Sequence, residues 1–305
     1  MDKIGSQSQM ITARRTVCYI VLGILAILSL FPFYIMIINA TRLHSQIQSG
    51  FSVVPGLQLI THLKQFIYTS ESFTTVNLSG QVITHKVFSS SYPIIRGLLN
   101  SLILGLLTAA VTTYFSAMTS YGIYMYNFKG KKAAFNFIMA VMMVPTQVST
   151  LGFIDLMTKM NLMNTYVPLI VPAIAAPVVF FYMYQSMEAT LPYSIVEAAR
   201  VDGSNEFYTF NAIVIPMLKP AFAVQSIFAF VSSWNNYFVP ALIISKKSLW
   251  TVPIVIASAR NADYMMFDLG VVYTLMTLAI FPLIIVYLFL SKYIISGATA
   301  GGVKE

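Results

Sequence analysis

Six stretches of this chain, residues 17–38, 97–126, 133–154, 166–187, 220–245 and 269–291, contain no Asp, Glu, Lys, Arg or His. Each is at least about as long as the roughly 20 residues of helix needed to cross a bilayer's hydrocarbon core. In lipid a backbone must satisfy its own polar groups, and a helix does so within a single segment. The stretches therefore predict an all-α, polytopic membrane protein with six transmembrane helices. Composition agrees, with 57% of the 305 residues hydrophobic and 9% charged. Soluble domains carry about 25% charged residues, so this chain cannot cover itself with a water-exposed surface.

Charges at the ends of spans set their orientation. Arg14 and Arg15 precede the first stretch, and Lys129, Lys131 and Lys132 crowd the short loop between the second and third. Both signals place the termini in the cytoplasm, although Lys246 and Lys247 oppose them. The expected order is a cytoplasmic N-terminus (1–16), a first span (17–38), an extracytoplasmic loop (39–96), a five-span core (97–291) and a cytoplasmic tail (292–305). The core carries a long cytoplasmic loop, 188–219. The first stretch is too long for a signal-peptide core, and no small-residue cleavage site follows it. The formal charge of +8 follows from this topology. No basic cluster interleaved with aromatics suggests nucleic acid.

Catalytic patterns are missing. Cys18 is the lone cysteine, which excludes an internal disulfide and a cysteine metal cluster. His44, His62 and His85 lie in one loop without ligand spacing, and a structural role is expected for them. Gly130-Lys131-Lys132 lacks the earlier glycine and the hydroxyl of a P-loop. No carboxylate lies in a span, so no intramembrane proton relay is suggested. The chain is expected to be no enzyme and to hold no cofactor or metal. Pro32, Pro145, Pro168, Pro172, Pro177 and Pro282 interrupt the spans, as in bundles that kink around a cavity.

Two segments carry chemistry. In the cytoplasmic loop, Pro192 suits a first helical turn and Gly203 a left-handed stop. About three turns of helix fit between them. Ser194, Glu197 and Arg200 make one polar edge, and Ile195, Val196, Ala199 and Tyr193 supply apolar surface. Such a helix can dock on a partner or lie on lipid headgroups. In the fifth stretch, Gln225, Ser232, Ser233, Trp234, Asn235, Asn236 and Tyr237 concentrate polarity. Hydrogen-bonding groups beside aromatic faces suit a sugar. The same Ser and Asn side chains could instead join helices to one another.

The cytoplasmic loop resembles a known family. Glu197-Ala198-Ala199, then Asp202-Gly203, then Ile213 to Pro216 match the EAA signature of binding-protein-dependent ABC importer permeases. Asn100-Ser101 at the second span, Tyr121-Gly122 before Phe128 to Lys131, Pro145, Leu162 to Thr165, Trp234 to Asn236 and the tail Gly297 to Lys304 agree. Together they resemble the MalG-like branch that serves carbohydrate importers, from about Ser29 onward. Loop 39–96 departs from the pattern. The resemblance implies a type I importer (MetI-like) permease fold in a bacterial plasma membrane. It implies that Pro192, Glu197, Ala198, Ala199, Asp202, Gly203 and Pro216 couple to an ATPase subunit, with Glu197 meeting a basic residue there. It further implies a homologous second permease, two ATP-binding subunits that hold ATP and Mg, and an extracytoplasmic sugar-binding protein. The candidate substrate pathway is Ser233, Trp234, Asn235, Asn236 and Tyr237. The same importer type could carry glycerol phosphate or a polyamine instead. A secondary transporter is disfavoured by the charge-free spans, and a membrane enzyme by the lack of a catalytic group.

Overall fold

A computed structural model describes residues 2–67, 73–76, 82–85, 93–260 and 268–300. Part of loop 39–96, residues 261–267 and the end of the tail, 301–305, lie outside the described residues. The chain forms two compact units, Met1–Ser91 with Arg260–Leu278, and Tyr92–Ala259 with Ala279–Glu305.

The first unit begins with α1 (Asp2–Ala40). Residues 14–34 of this helix expose their side chains on every side, including Tyr19, Leu28 and Leu30. An apolar helix without a polar face needs an apolar surrounding, which lipid supplies. Burial starts where the apolar run ends, at Ile38, Asn39 and Ala40. Two short helices follow, α2 (His44–Gln48) and α3 (Leu59–Ile67). A two-stranded antiparallel ladder joins β1 (Phe73–Val76) and β2 (Val82–His85), with Phe73 opposite His85. This ladder is a small addition within loop 39–96 to a fold that is all-α in class. Its Thr, Val and Ile residues are β-branched, which favours strands.

His62 pins this unit together. It is 1% exposed, with Nδ1 2.8 Å from Ala40 O and Nε2 3.5 Å from Asp268 Oδ2. The Thr274 hydroxyl donates to the same Ala40 carbonyl, and the Leu269 N–H donates to His44 Nδ1. Burial pulls the His62 pKa down. The hydrogen bond and charge of Asp268, with the Ala40 carbonyl, outweigh it and hold the ring above its ordinary value. Burial pushes Asp268 up, but His62 and the Gly270 N–H hold it below the usual carboxylate range.

The second unit is built on α4 (Ile94–Met125), a helix of 32 residues. Next come α5 (Lys131–Val141) and α6 (Thr146–Lys159). The third apolar stretch is thus not one helix. Pro145 has no N–H to continue the ladder, and it stands just before the new helix begins. After α7 (Val167–Ile170) and a 3₁₀ turn at Val171–Ile174, Pro177 opens α8 (Pro177–Thr190). Loop 188–219 supplies α9 (Tyr193–Val201) and α10 (Glu206–Thr209). A π-helical turn, Phe210–Val214, leads into α11 (Ile215–Met217). Then come α12 (Lys219–Asn235), α13 (Phe238–Ile243), α14 (Val252–Arg260) and α15 (Leu269–Ala300), whose part up to Leu278 belongs to the first unit.

Four helical segments are long and apolar enough to cross a membrane: Arg14–Ala40, Ile94–Met125, Val167–Thr190 and Leu269–Phe289. Glu206–Met217 and Lys219–Asn235, bent by 85°, make a fifth if counted as one span. The fifth apolar stretch also breaks at Asn236 and Tyr237, between α12 and α13. The expected six spans therefore differ in continuity, with the third and fifth interrupted. Gly105 lets α4 and α12 approach closely: a Cβ there would stand 2.7 Å from the Phe230 ring. Phe230 is 1% exposed, so that ring has little room to retreat.

Candidate functional site

Helices α4, α8 and α12, with residues between them, line a half-open cavity of about 770 Å³. Small-molecule sites span roughly 300–1,000 Å³. Ser101, Thr108 and Thr112 line it from α4, and Gln225, Ser232 and Ser233 from α12. Asn236 and Thr251 complete the polar groups, while Leu104, Phe228 and Tyr182 supply apolar and aromatic surface. Among the described residues no lining side chain is charged. The Thr108 and Thr251 hydroxyl oxygens are buried and make no hydrogen bond. An unmade bond at a buried polar group costs about 1–3 kcal/mol, and both residues belong to the cavity lining.

Helical geometry divides the expected pathway residues. Gln225, Ala229, Ser232, Ser233 and Asn236 recur at three- and four-residue steps and share one face. Ser233 and Asn236 accordingly line the cavity. Trp234 does not. It is 3% exposed, stacks on Phe230 with centroids 5.6 Å apart, and its indole N–H donates to Ala279 O at 3.2 Å. Asn235 and Tyr237 are not among the lining residues either. Thr108 and Thr112 were absent from the sequence reading as site residues. Their signal was available, since Ser101, Thr108 and Thr112 are seven and four residues apart along an apolar helix.

Two asparagines hold the segment beside the cavity. Asn100 Nδ2 donates to Ser248 O and Trp250 O, at 3.0 and 2.9 Å. The neighbouring Ser101 Oγ accepts from the Val252 N–H. Asn164, at φ 60°, accepts through Oδ1 from Ser245 N, Ser245 Oγ and Lys246 N. Asn tolerates this left-handed backbone better than most residues.

Loop 188–219 forms the helix its sequence predicts. Pro192 precedes α9, and Gly203 ends it at φ +81°. Ser204 N–H donates to Ala199 O and Gly203 N–H to Arg200 O. This pair of bonds is the Schellman closure. Val196 and Ala199 are buried, whereas Glu197, Ala198, Val201 and Asp202 are exposed. The paired alanines thus face opposite ways, Ala199 inward and Ala198 outward. Glu197 has no ion-pair partner among the described residues. Pro216 follows the π turn, whose wide geometry sends Ile215 N–H to Phe210 O.

The inward side is held by aromatic and charged groups. Tyr193 stacks on Tyr124 with centroids 4.8 Å apart, and Tyr124 OH donates to Leu191 O. Arg200 Nε donates to Glu206 Oε1 at 2.7 Å, and Tyr121 OH to Glu206 Oε2 at 2.8 Å. The guanidinium lies 5.1 Å from the Tyr126 ring centroid, within cation–π range. Burial raises Glu206, but bonds from Arg200, Tyr126 and Tyr121 hold it below the usual carboxylate range. Glu206 in turn raises Arg200, which stays charged. Sequence reasoning did not single out Glu206. Among the described residues no group of three or more His, Cys, Asp and Glu could hold a metal ion.

Lipid-compatible helices around an uncharged cavity, with a helical loop presenting an outward face, define a solute-conducting membrane subunit. The chain belongs to the family of binding-protein-dependent transport system inner membrane components, which it matches over residues 111–299. It is 34% identical over 283 residues to the arabinooligosaccharides transport system permease protein AraQ of Bacillus subtilis, covering 92% of each chain. It is 28% identical over 289 residues to the lactose transport system permease protein LacG of Rhizobium radiobacter, covering 94% of this chain and 95% of the other. The fold is shared with a solved bacterial ABC transporter involved in the import of the acidic polysaccharide alginate. That likeness has a TM-score of 0.74 at 17% identity, over 92% of this chain and 95% of that one.

Proposed function

We propose that this chain is the permease subunit of an ATP-driven importer that carries a neutral carbohydrate, an oligosaccharide by analogy with the AraQ relative. The observation that carries this reading is the cavity of about 770 Å³ lined by hydroxyls and amides without a charge. A bare ion in such a site would lose its hydration without compensation, whereas a neutral polyol needs only hydrogen-bond partners and apolar faces. The permease names of the relatives support the same class. A second homologous permease would complete the pathway. Two ATP-binding subunits would hold ATP and Mg, and an extracytoplasmic sugar-binding protein would deliver the solute. Both termini face the cytoplasm in this reading. The segment from Pro192 through Glu197, Ala198, Ala199, Asp202 and Gly203 to Pro216 docks on an ATP-binding subunit.

Reconstitution of the complete complex in vesicles tests the assignment. ATP hydrolysis is expected to rise several-fold with a binding protein loaded with a neutral oligosaccharide. Stimulation confined to glycerol phosphate, a polyamine, an amino acid or a peptide would overturn the carbohydrate assignment.

A further inference from the structure

Helix α4 connects the outward-facing loop with the cavity without a break, as α8 also does from Tyr182 at the cavity to Met187 in the apolar cluster around Val196. Helix α4 carries Thr108 and Thr112 on the cavity and Tyr121 at the loop. The nine steps from Thr112 to Tyr121 span about 13.5 Å at 1.5 Å per residue. The residues of this segment include neither Gly nor Pro, the residues that most often kink a helix.

At the loop end the contacts are of two kinds. Val196 sits in an apolar cluster with Tyr121, Tyr124, Met187 and Phe210. Such packing resists separation but is non-directional. The Glu206 carboxylate is different, because its oxygens accept directional bonds from two other helices. One oxygen takes Arg200 Nε from α9 and the other takes the Tyr121 hydroxyl from α4. Glu206 itself belongs to α10, so one carboxylate joins three helices. Charge-assisted bonds of this kind are shorter and more directional than neutral ones.

We propose that Arg200, Glu206 and Tyr121 form a lock that makes the loop helix α9 and the cavity helix α4 move as one body, and so sets how much uptake each ATP hydrolysed yields. The inference rests on the importer reading above. All three are positioning residues, since none lines the cavity. The lock makes the apolar seat of Val196 a fixed joint. Without it, α9 could shift with the ATP-binding subunit while α4 stayed behind, and hydrolysis would run without uptake.

The test uses the complete complex in vesicles, with uptake and ATP hydrolysis measured on the same preparation. Tyr121→Phe removes one hydroxyl, and Glu206→Gln removes the charge at constant shape. Each is expected to leave the complex assembled and hydrolysis within about twofold of the unmodified complex. Each should lower uptake per ATP about tenfold, which corresponds to ~1.4 kcal/mol. The double variant should be no worse than the more affected single one, because groups sharing one interaction are not additive. Additive losses would overturn a single lock. So would an unchanged uptake-to-ATP ratio in both single variants, or ATP-binding subunits that no longer co-purify with Tyr121→Phe. If the unmodified complex shows no ATP-driven uptake, the importer reading itself falls. If it does and the variants keep its ratio, only the lock falls.

Discussion

The two ends of helix α4 are built from opposite chemistry. Toward the cavity it presents Ser101, Thr108 and Thr112 with no charge in the lining. Toward the loop it presents Tyr121 and Tyr124, tied to Glu206, Arg200, Leu191 and Tyr193. A hydroxyl can donate or accept and can rotate to suit a changing partner. A carboxylate held by a guanidinium and a phenol has one preferred arrangement. The cavity end suits a solute that must enter and leave, and the loop end suits the transmission of force. The contrast also assigns different vulnerabilities: geometry at the loop, hydrogen bonding at the cavity.

The largest effect is expected from breaking the loop end. Gly203→Pro cannot adopt φ +81° and removes the N–H that donates to Arg200 O. Proline at such a position costs about 3 kcal/mol or more. Uptake by the reconstituted complex should fall at least about tenfold, by the conversion of 1.4 kcal/mol per tenfold, with the chain still inserted in the membrane. Uptake near the unmodified rate would show that the Schellman closure of α9 is dispensable, and the contrast would lose its mechanical half.

A smaller effect should follow at the cavity. Asn236→Leu and Gln225→Leu replace polar lining groups at similar volume. Each should reduce sugar uptake about threefold to tenfold, the scale of one hydrogen bond of roughly 1 kcal/mol. Basal ATP hydrolysis should not change. Equal losses of uptake and hydrolysis would mean that these side chains support the bundle and not the solute.

The smallest effect sharpens the comparison through a different charged pin, in the first unit. His62 sits above its ordinary value of 6.5, so its contribution is present in full below that value and fades as pH rises through the folded pKa. Asp268 sits below its ordinary 3.8, so its contribution is present above that value and is lost as pH falls through the folded pKa. The pin is therefore complete from about pH 4 to 6.5 and weakens as pH rises through the folded His62 pKa above that window. Hydrogen exchange at α3 should speed up as pH rises above that window, once corrected for intrinsic rates, by an amount reflecting roughly 1 kcal/mol. In His62→Gln that pH dependence should disappear. A dependence that survives the substitution would assign it to another group.

Much of this was legible in the chain itself. The charge-free stretches announced the membrane, because burying an ion in lipid is too costly to be incidental. Pro192 and Gly203 bounded the loop helix, because proline fixes φ and glycine alone enters the left-handed region without strain. The interruption of the third stretch was legible at Pro145, but the fifth was legible only as apolar. Hydropathy counts residues and is blind to a hydrogen-bond ladder that turns at Asn236.

The local sequence determined those things whose cause is local: apolar length, backbone permission and the EAA signature. Tertiary structure decided what depends on which side chain meets which. Trp234 and Asn236 are neighbours in one polar run, yet one packs on Phe230 and the other lines the cavity. Adjacent residues on a helix point about 100° apart, since a turn takes about 3.6 residues, and a run of composition does not say which of them faces the space. Glu206 carried no signal in the chain, because its partners Arg200 and Tyr121 lie 6 and 85 positions away. Only the packing of α9, α10 and α4 brings the three together.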